Sequence, residues 1–255
     1  MPVELSFRDD VALITLNRPE ALNALSHQIL EEISASVEEV RTSDARAMLF
    51  TGAGGKAFCA GADIKELTDN SPLQHRSLME RGQGIYNRIA ALHIPSIAVI
   101  NGYAFGGGLE LALACDFRLA TANAKLGLPE IKLGLVPGYG GTQRLPRLIG
   151  ESRALEIILT GRTLGAEEAM SIGLVNQLIE GEAVEAGIAF AKTFTQFSLT
   201  TLRLARSAVH RAMDVPLSEG LELEADIGAL AFQTADGKEG MTAFQEKRPA
   251  AFKDR

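Results

Sequence analysis

Ser96–Cys115, SIAVINGYAFGGGLELALAC, couples an apolar run of strand character to a glycine-rich turn and then to an apolar helix that begins near Leu109. Short branched runs closed by turn formers read as strands, and longer apolar stretches read as helices. Glu110 is the only charged residue in the stretch. A carboxylate in the first turn of a helix is favoured by the helix dipole, so it has a plain structural reading. It also has a chemical one. Apolar flanks on both sides would desolvate the carboxyl and raise its pKa toward the range useful for proton transfer. Gly106, Gly107 and Gly108 would let amide groups at the helix start approach a ligand oxygen closely.

Outward from this stretch, Val11–Leu16 and Ala47–Thr51 read as further strands. Leu30, Ile33, Val37 and Val40 recur at helical spacing between them, with Ser26 placed as N-cap. A second helix is expected over Leu73–Leu92, and another strand over Phe117–Ala120. Strand and helix in alternation predict an α/β core. The acidic N-terminus MPVELSFRDDVALITL reads as a strand pair, not a secretory signal. From Ser198 onward the pattern turns helical, giving an expected division into 1–197 and 198–255. Asp236 and Glu239 have the spacing of a capping box opening the last helix, whose apolar positions include Met241 and Phe244.

Two other segments could carry chemistry. Glu130 lies in KLGLPEIKLGLVPGYGGTQR (Lys125–Arg144), a carboxylate among apolar residues ahead of a stretch too irregular to be only a linker. Alone it reads equally as a solvated loop residue; beside Glu110 it would complete an acid–base pair. TGAGGKAFCAGADIKEL (Thr51–Leu67) imitates a dinucleotide fingerprint at Gly52, Gly54 and Ala57, but no second strand ending in an acidic residue follows at the required distance. A phosphate-binding Walker loop fails at Phe50 and Ala57. What remains is a glycine-rich turn leading into a short helix near Asp63.

The chain has 255 residues, 46% of them hydrophobic and 22% charged, as befits a globular protein with a sizeable core. A formal charge of −7 weighs against nucleic acid as the main partner, and no RNP1-like aromatic motif is present. No stretch is apolar and long enough to cross a bilayer. Cys59 and Cys115 stand far apart without CxxC spacing, and His27, His75, His93 and His210 are scattered without HExxH, so neither a metal site nor a disulfide framework is expected. A reducing, cytoplasmic setting is the simple reading. No serine sits in the G-x-S-x-G of hydrolases.

Five pieces together resemble the enoyl-CoA hydratase/isomerase (crotonase) family: LNRPEALNAL (Leu16–Leu25), KAFCAGADIKEL (Lys56–Leu67), NGYAFGGGLELALACD (Asn101–Asp116), GLPEIKLGLVPGYGGTQRLPR (Gly127–Arg147) and AFQEKRPAAFKD (Ala243–Asp254). They span nearly the whole chain. The resemblance implies a spiral of repeated ββα units followed by a helical C-terminal region that mediates trimerisation, with hexamers built from two trimers. It implies an acyl-CoA thioester as substrate and no metal or further cofactor. By the family's motifs, Ala62 and Gly107 would supply the two oxyanion N–H groups, and Glu110 and Glu130 the acid and base of a hydratase. Ala60, Ala62, Asp63, Ile64 and Lys65 would contact CoA, with Phe244 and Lys247 contributing from the C-terminal helix of a neighbouring subunit. A branched-substrate hydratase, an isomerase and an RNA-binding relative are the alternatives. The acyl pocket is expected around Leu73–Gly84 and Tyr139.

Overall fold

The computed structural model describes residues 1–66, 68 and 70–254; Leu67, which closes one of the quoted motifs, lies outside them. The N-terminal strand pair forms as expected, with β1 (Val3–Arg8) antiparallel to β2 (Val11–Leu16). Helix α1 (His27–Thr42) starts where the Ser26 hydroxyl accepts the Ile29 N–H, and it buries Ile29, Leu30, Ile33, Val37 and Val40 along one face.

Three successive units then each give one strand to each of two sheets. The first is β3 (Ala47–Gly52), β4 (Ala57–Cys59) and α2 (Pro72–Ala90). The second is β5 (Ser96–Ile100), β6 (Tyr103–Phe105) and α3 (Gly107–Leu113). The third is β7 (Phe117–Thr121), β8 (Lys125–Gly127) and α4 (Gly141–Ile149). After these come α5 (Glu151–Thr160), β9 (Leu164–Gly165), α6 (Ala166–Ser171), β10 (Gln177–Ile179) and α7 (Ala183–Thr195). The larger sheet runs β1-β2-β3-β5-β7-β10 and the smaller β4-β6-β8-β9. Every residue of β3 and β5 is buried, which is why they read as unbroken apolar runs and not as alternating ones. This is the ββα spiral that the resemblance implied.

The chain resolves into two compact units, one of residues 1–92 and 96–191, the other of 93–95 and 192–254. The second holds α8 (Leu199–Arg211), α9 (Leu217–Gln233) and α10 (Ala235–Glu246). Neither α8 nor α9 buries a residue, and Leu217 and Phe232 are 78% and 62% exposed. The capping box expected from Asp236 and Glu239 does not form. Thr234 caps α10 by accepting the Gly237 N–H, while Asp236, buried in the first turn, accepts the N–H groups of Lys253 and Asp254 and the hydroxyl of Ser198. One carboxylate satisfying three donors outweighs a single cap bond, and Asp236 is spent on the C-terminal tail. No described helix is long and apolar enough to cross a membrane.

Candidate active site

Strands β4, β6 and β8 are parallel neighbours, so the residues leaving their C-terminal ends emerge along one edge of the smaller sheet. In α/β folds that edge is where ligands bind. Here it gathers Ala60–Ala62 after β4, Gly106 and Gly107 after β6, and Pro129 and Glu130 after β8 around a cavity of about 140 Å³. The Gly106 N–H, donated to the Gly127 carbonyl at 3.0 Å, ties the second and third of these segments together.

Helix α3 is seated by a close approach. A Cβ on Gly108 would collide with the Cys59 carbonyl, so only glycine lets the start of α3 lie against β4. At its other end, buried Arg118 donates to the carbonyls of Ala112 and Cys115, closing the helix C-terminus with a cation. Gly107 opens the helix, where amide groups have no intrahelical acceptor. The Ala62 amide is freed by strand geometry. Leu25 donates to the Gly61 carbonyl and accepts from the Asp63 N–H, so the Ala62 N–H between them points the other way. Both Ala62 and Gly107 line the cavity. The Tyr86 hydroxyl donates to the Gly107 carbonyl at 2.7 Å and holds the turn.

Glu110 is 2% exposed. Its Oε1 accepts the N–H groups of Tyr139 at 2.8 Å and Gly141 at 2.7 Å. Burial pushes its pKa up to about 7, the Gly141 and Tyr139 amides and Arg144 hold it down, and the charge of Glu130 raises it again. Glu130 sits on a 3-10 turn, Pro129–Leu133, and burial raises its carboxyl as well. Its Oε1 lies 3.0 Å from where a Cβ on Gly106 would stand. Its Oε2 is buried with no hydrogen-bond partner among the described residues. Such an orphan costs about 1–3 kcal/mol unless a ligand engages it. Two carboxyl groups with raised pKa values therefore share one small cavity with Ala62 and Gly107, an arrangement suited to acid–base chemistry beside an accumulating oxyanion.

Of the expected CoA contacts, Ala60, Ala62 and Ile64 line the cavity. Asp63 is committed elsewhere: its carboxylate pairs with Arg18 at 3.1 Å and accepts the Lys65 N–H. Lys65 lies on an exposed 3-10 turn, Ile64–Glu66. Phe244 is 86% exposed on α10, and Lys247 follows that helix with φ of 55°. Met79 and Tyr139, from the region expected to hold the acyl group, line the cavity too. Sequence reasoning missed Tyr86, Arg144, the gripping amides of Tyr139 and Gly141, and the lining residues Leu133, Leu135 and Val136. The one visible signal, for Leu133–Gly141 alone, is the proline- and glycine-rich stretch in which they lie. Among the described residues no three His, Cys, Asp or Glu side chains cluster as metal ligands would.

The family model described as enoyl-CoA hydratase/isomerase matches residues 6–255. A crotonyl-CoA hydratase of Syntrophomonas wolfei is 41% identical over 250 residues, 97% of this chain and 96% of that protein. A short-chain-enoyl-CoA hydratase of Clostridium acetobutylicum is 40% identical over 96% of this chain and 95% of its own length. Among solved structures, an enoyl-CoA hydratase from Bacillus anthracis aligns over 100% of both chains with a TM-score of 0.95 at 40% identity.

Proposed function

Because the chain belongs to the enoyl-CoA hydratase/isomerase family, we propose that it adds water across the double bond of a trans-2-enoyl-CoA to give a 3-hydroxyacyl-CoA, with Glu110 and Glu130 exchanging the protons. The observation that carries this reading is that Glu110, Glu130, Ala62 and Gly107 all line one cavity. The thioester oxygen would sit between the two amides. In its carboxylate form Glu110 takes a proton from water as the oxygen bonds to Cβ. The π electrons move toward the carbonyl, and the negative charge on its oxygen is held by the two N–H donors. Glu130, whose burial favours the protonated form, delivers its proton to Cα. Dehydration runs the same transfers backwards. A pKa near 7 suits Glu110, since both protonation states are then populated at neutral pH.

In the same reading Ala60, Ala62, Ile64 and Lys65 border the CoA chain, with Phe244 and Lys247 reaching it from another subunit. Asp63, expected beside them, holds the loop through Arg18. The exposed apolar side chains of α8 and α9, among them Val209, Leu221 and Phe232, support a homotrimer or a hexamer of two trimers. Two buried, free cysteines suit the cytoplasm.

Purified protein mixed with crotonyl-CoA should consume the conjugated thioester and form 3-hydroxybutyryl-CoA, with longer and branched enoyl-CoA substrates assayed beside it. Movement of the double bond without uptake of water would replace the hydratase reading with an isomerase one. No turnover of any enoyl-CoA would end both.

A further inference from the structure

The turn that grips Glu110 is itself gripped. Its amides at Tyr139 and Gly141 both converge on Oε1 of Glu110. The Tyr139 carbonyl in turn accepts a bond from Nη1 of Arg144 at 2.9 Å, and Nη2 of the same guanidinium donates to the Asn87 side chain on α2 at 2.6 Å. At Gly140, φ is +116°, and a Cβ there would collide with the guanidinium, so the turn wraps closely around it. A planar fork with two anchored arms fixes a peptide more sharply than a single flexible ammonium does.

We propose that Arg144 is a positioning residue for the reaction: anchored on α2 by Asn87, it clamps the Tyr139–Gly141 turn and so sets both the placement and the charge state of Glu110. The functional side rests on the reading of Glu110 as base. The groups facing that carboxyl are Glu130 on its 3-10 turn, Tyr139 in the turn, Arg144 on α4 and Tyr86 of α2, on which Arg144 also acts. Burial and Glu130 favour the protonated form of Glu110, whereas the two amides and Arg144 favour the carboxylate. Arg144 is half-buried, and its own pKa is lowered by burial, with the charge of Glu110 opposing that shift. Removing the guanidinium takes away a positive charge and loosens the amides together. Both losses act in one direction, so Glu110 should hold its proton to higher pH.

The test uses the full-length protein and its Arg144→Gln, Arg144→Lys and Asn87→Ala variants, with two readouts. One is the ionisation midpoint of the Glu110 carboxyl, taken from infrared spectra by difference against Glu110→Gln. The other is the acid limb of kcat/KM for crotonyl-CoA hydration, which reports the coupled pair of carboxyls. Arg144→Gln should raise the midpoint by roughly one pH unit and shift the acid limb with it. Arg144→Lys should raise the midpoint by less than Arg144→Gln while lowering kcat, because charge survives and the fork does not. Asn87→Ala, which leaves the charge in place on a looser anchor, should move the midpoint upward by less. A folded Arg144→Gln protein with an unmoved midpoint overturns the proposal. If Arg144→Gln does not fold, an unmoved midpoint in Asn87→Ala with unaltered kcat overturns it instead. If the unaltered protein hydrates no enoyl-CoA, the reading of Glu110 as base fails, yet a raised midpoint in Arg144→Gln still upholds the clamp.

Discussion

Helix α3 and the segment from Pro129 to Val136 each bring one carboxyl to the cavity, and they are built in opposite ways. All residues of α3 are buried, and Glu110 within it has its oxygen satisfied by two amides. Pro129–Val136 has no fully buried residue; Leu133, Leu135 and Val136 are exposed, and Glu130 keeps an oxygen without a partner among the described residues. One acid is fixed by the interior of the protein. The other sits on a surface turn, with bonding capacity that a ligand could take up. A reaction that needs a pre-set base and an acid delivered onto a bound substrate can use that asymmetry.

The largest effect tests whether both acids matter despite the asymmetry. Glu110→Gln and Glu130→Gln should each lower kcat for crotonyl-CoA hydration by about 10²–10⁴-fold, as loss of a proton-transfer group does. Near-normal turnover in either variant would remove that side chain from the mechanism and leave its partner to act alone.

Next in size is a stability effect confined to the rigid half. Leu111, fully buried in α3, should cost about 2–5 kcal/mol when cut to alanine, through lost burial and the cavity left behind. Denaturant unfolding monitored by circular dichroism would measure it. A cost below about 1 kcal/mol would mean that α3 is not held as tightly as its burial implies.

The third prediction turns on the cost of keeping Glu110 charged. Its pKa rises from 4.5 to about 7 on folding, so the native state favours the protonated form. The stability tied to that proton is fully present below pH 4.5 and is lost as pH rises through 7. Glu110→Gln cannot ionise and should exceed the unaltered protein in stability by about 3 kcal/mol above pH 7, the gap closing toward pH 4.5. Melting curves across that range check it. A gap independent of pH would trace the gain to packing instead.

The difference between the two segments also governs what could be read from the sequence. The strands and α1 were legible because their burial is written in local pattern: continuous apolar runs in β3 and β5, a 3.6-residue period after Ser26. The start of α3 was misplaced by two residues, at Leu109 instead of Gly107, because glycine disfavours helix and propensity pointed past it. Contact between Gly108 and the Cys59 carbonyl overrode that preference, and such contact joins residues far apart in the chain. The same holds for the site. Glu110 stood out as the lone charge of its stretch and Glu130 as a carboxylate among apolar residues, but their meeting depends on β6 pairing with β8. Arg144 and Tyr86 carry no local mark, since their bonds run to a turn and a helix start that only the tertiary fold brings near. Asp236 misled for the related reason that its partners, Lys253 and Asp254, lie beyond the helix it was expected to cap.

The smallest effect separates the two segments most directly. Val136 is 70% exposed yet borders the cavity, so its side chain contributes little to folding and has its contacts left to make with substrate. Val136→Ala should leave stability within about 0.5 kcal/mol of the unaltered protein, as exposed substitutions do. It should raise KM for crotonyl-CoA by roughly 3-fold to 10-fold at nearly constant kcat, because the lost contact serves ground state and transition state alike. An apolar residue that is neutral for folding and costly for binding is what a ligand-facing surface turn predicts. If Val136→Ala destabilised the fold instead while KM stayed constant, Pro129–Val136 would be a structural element of the same kind as α3, and the contrast between the interior carboxyl and the surface-borne one would no longer hold.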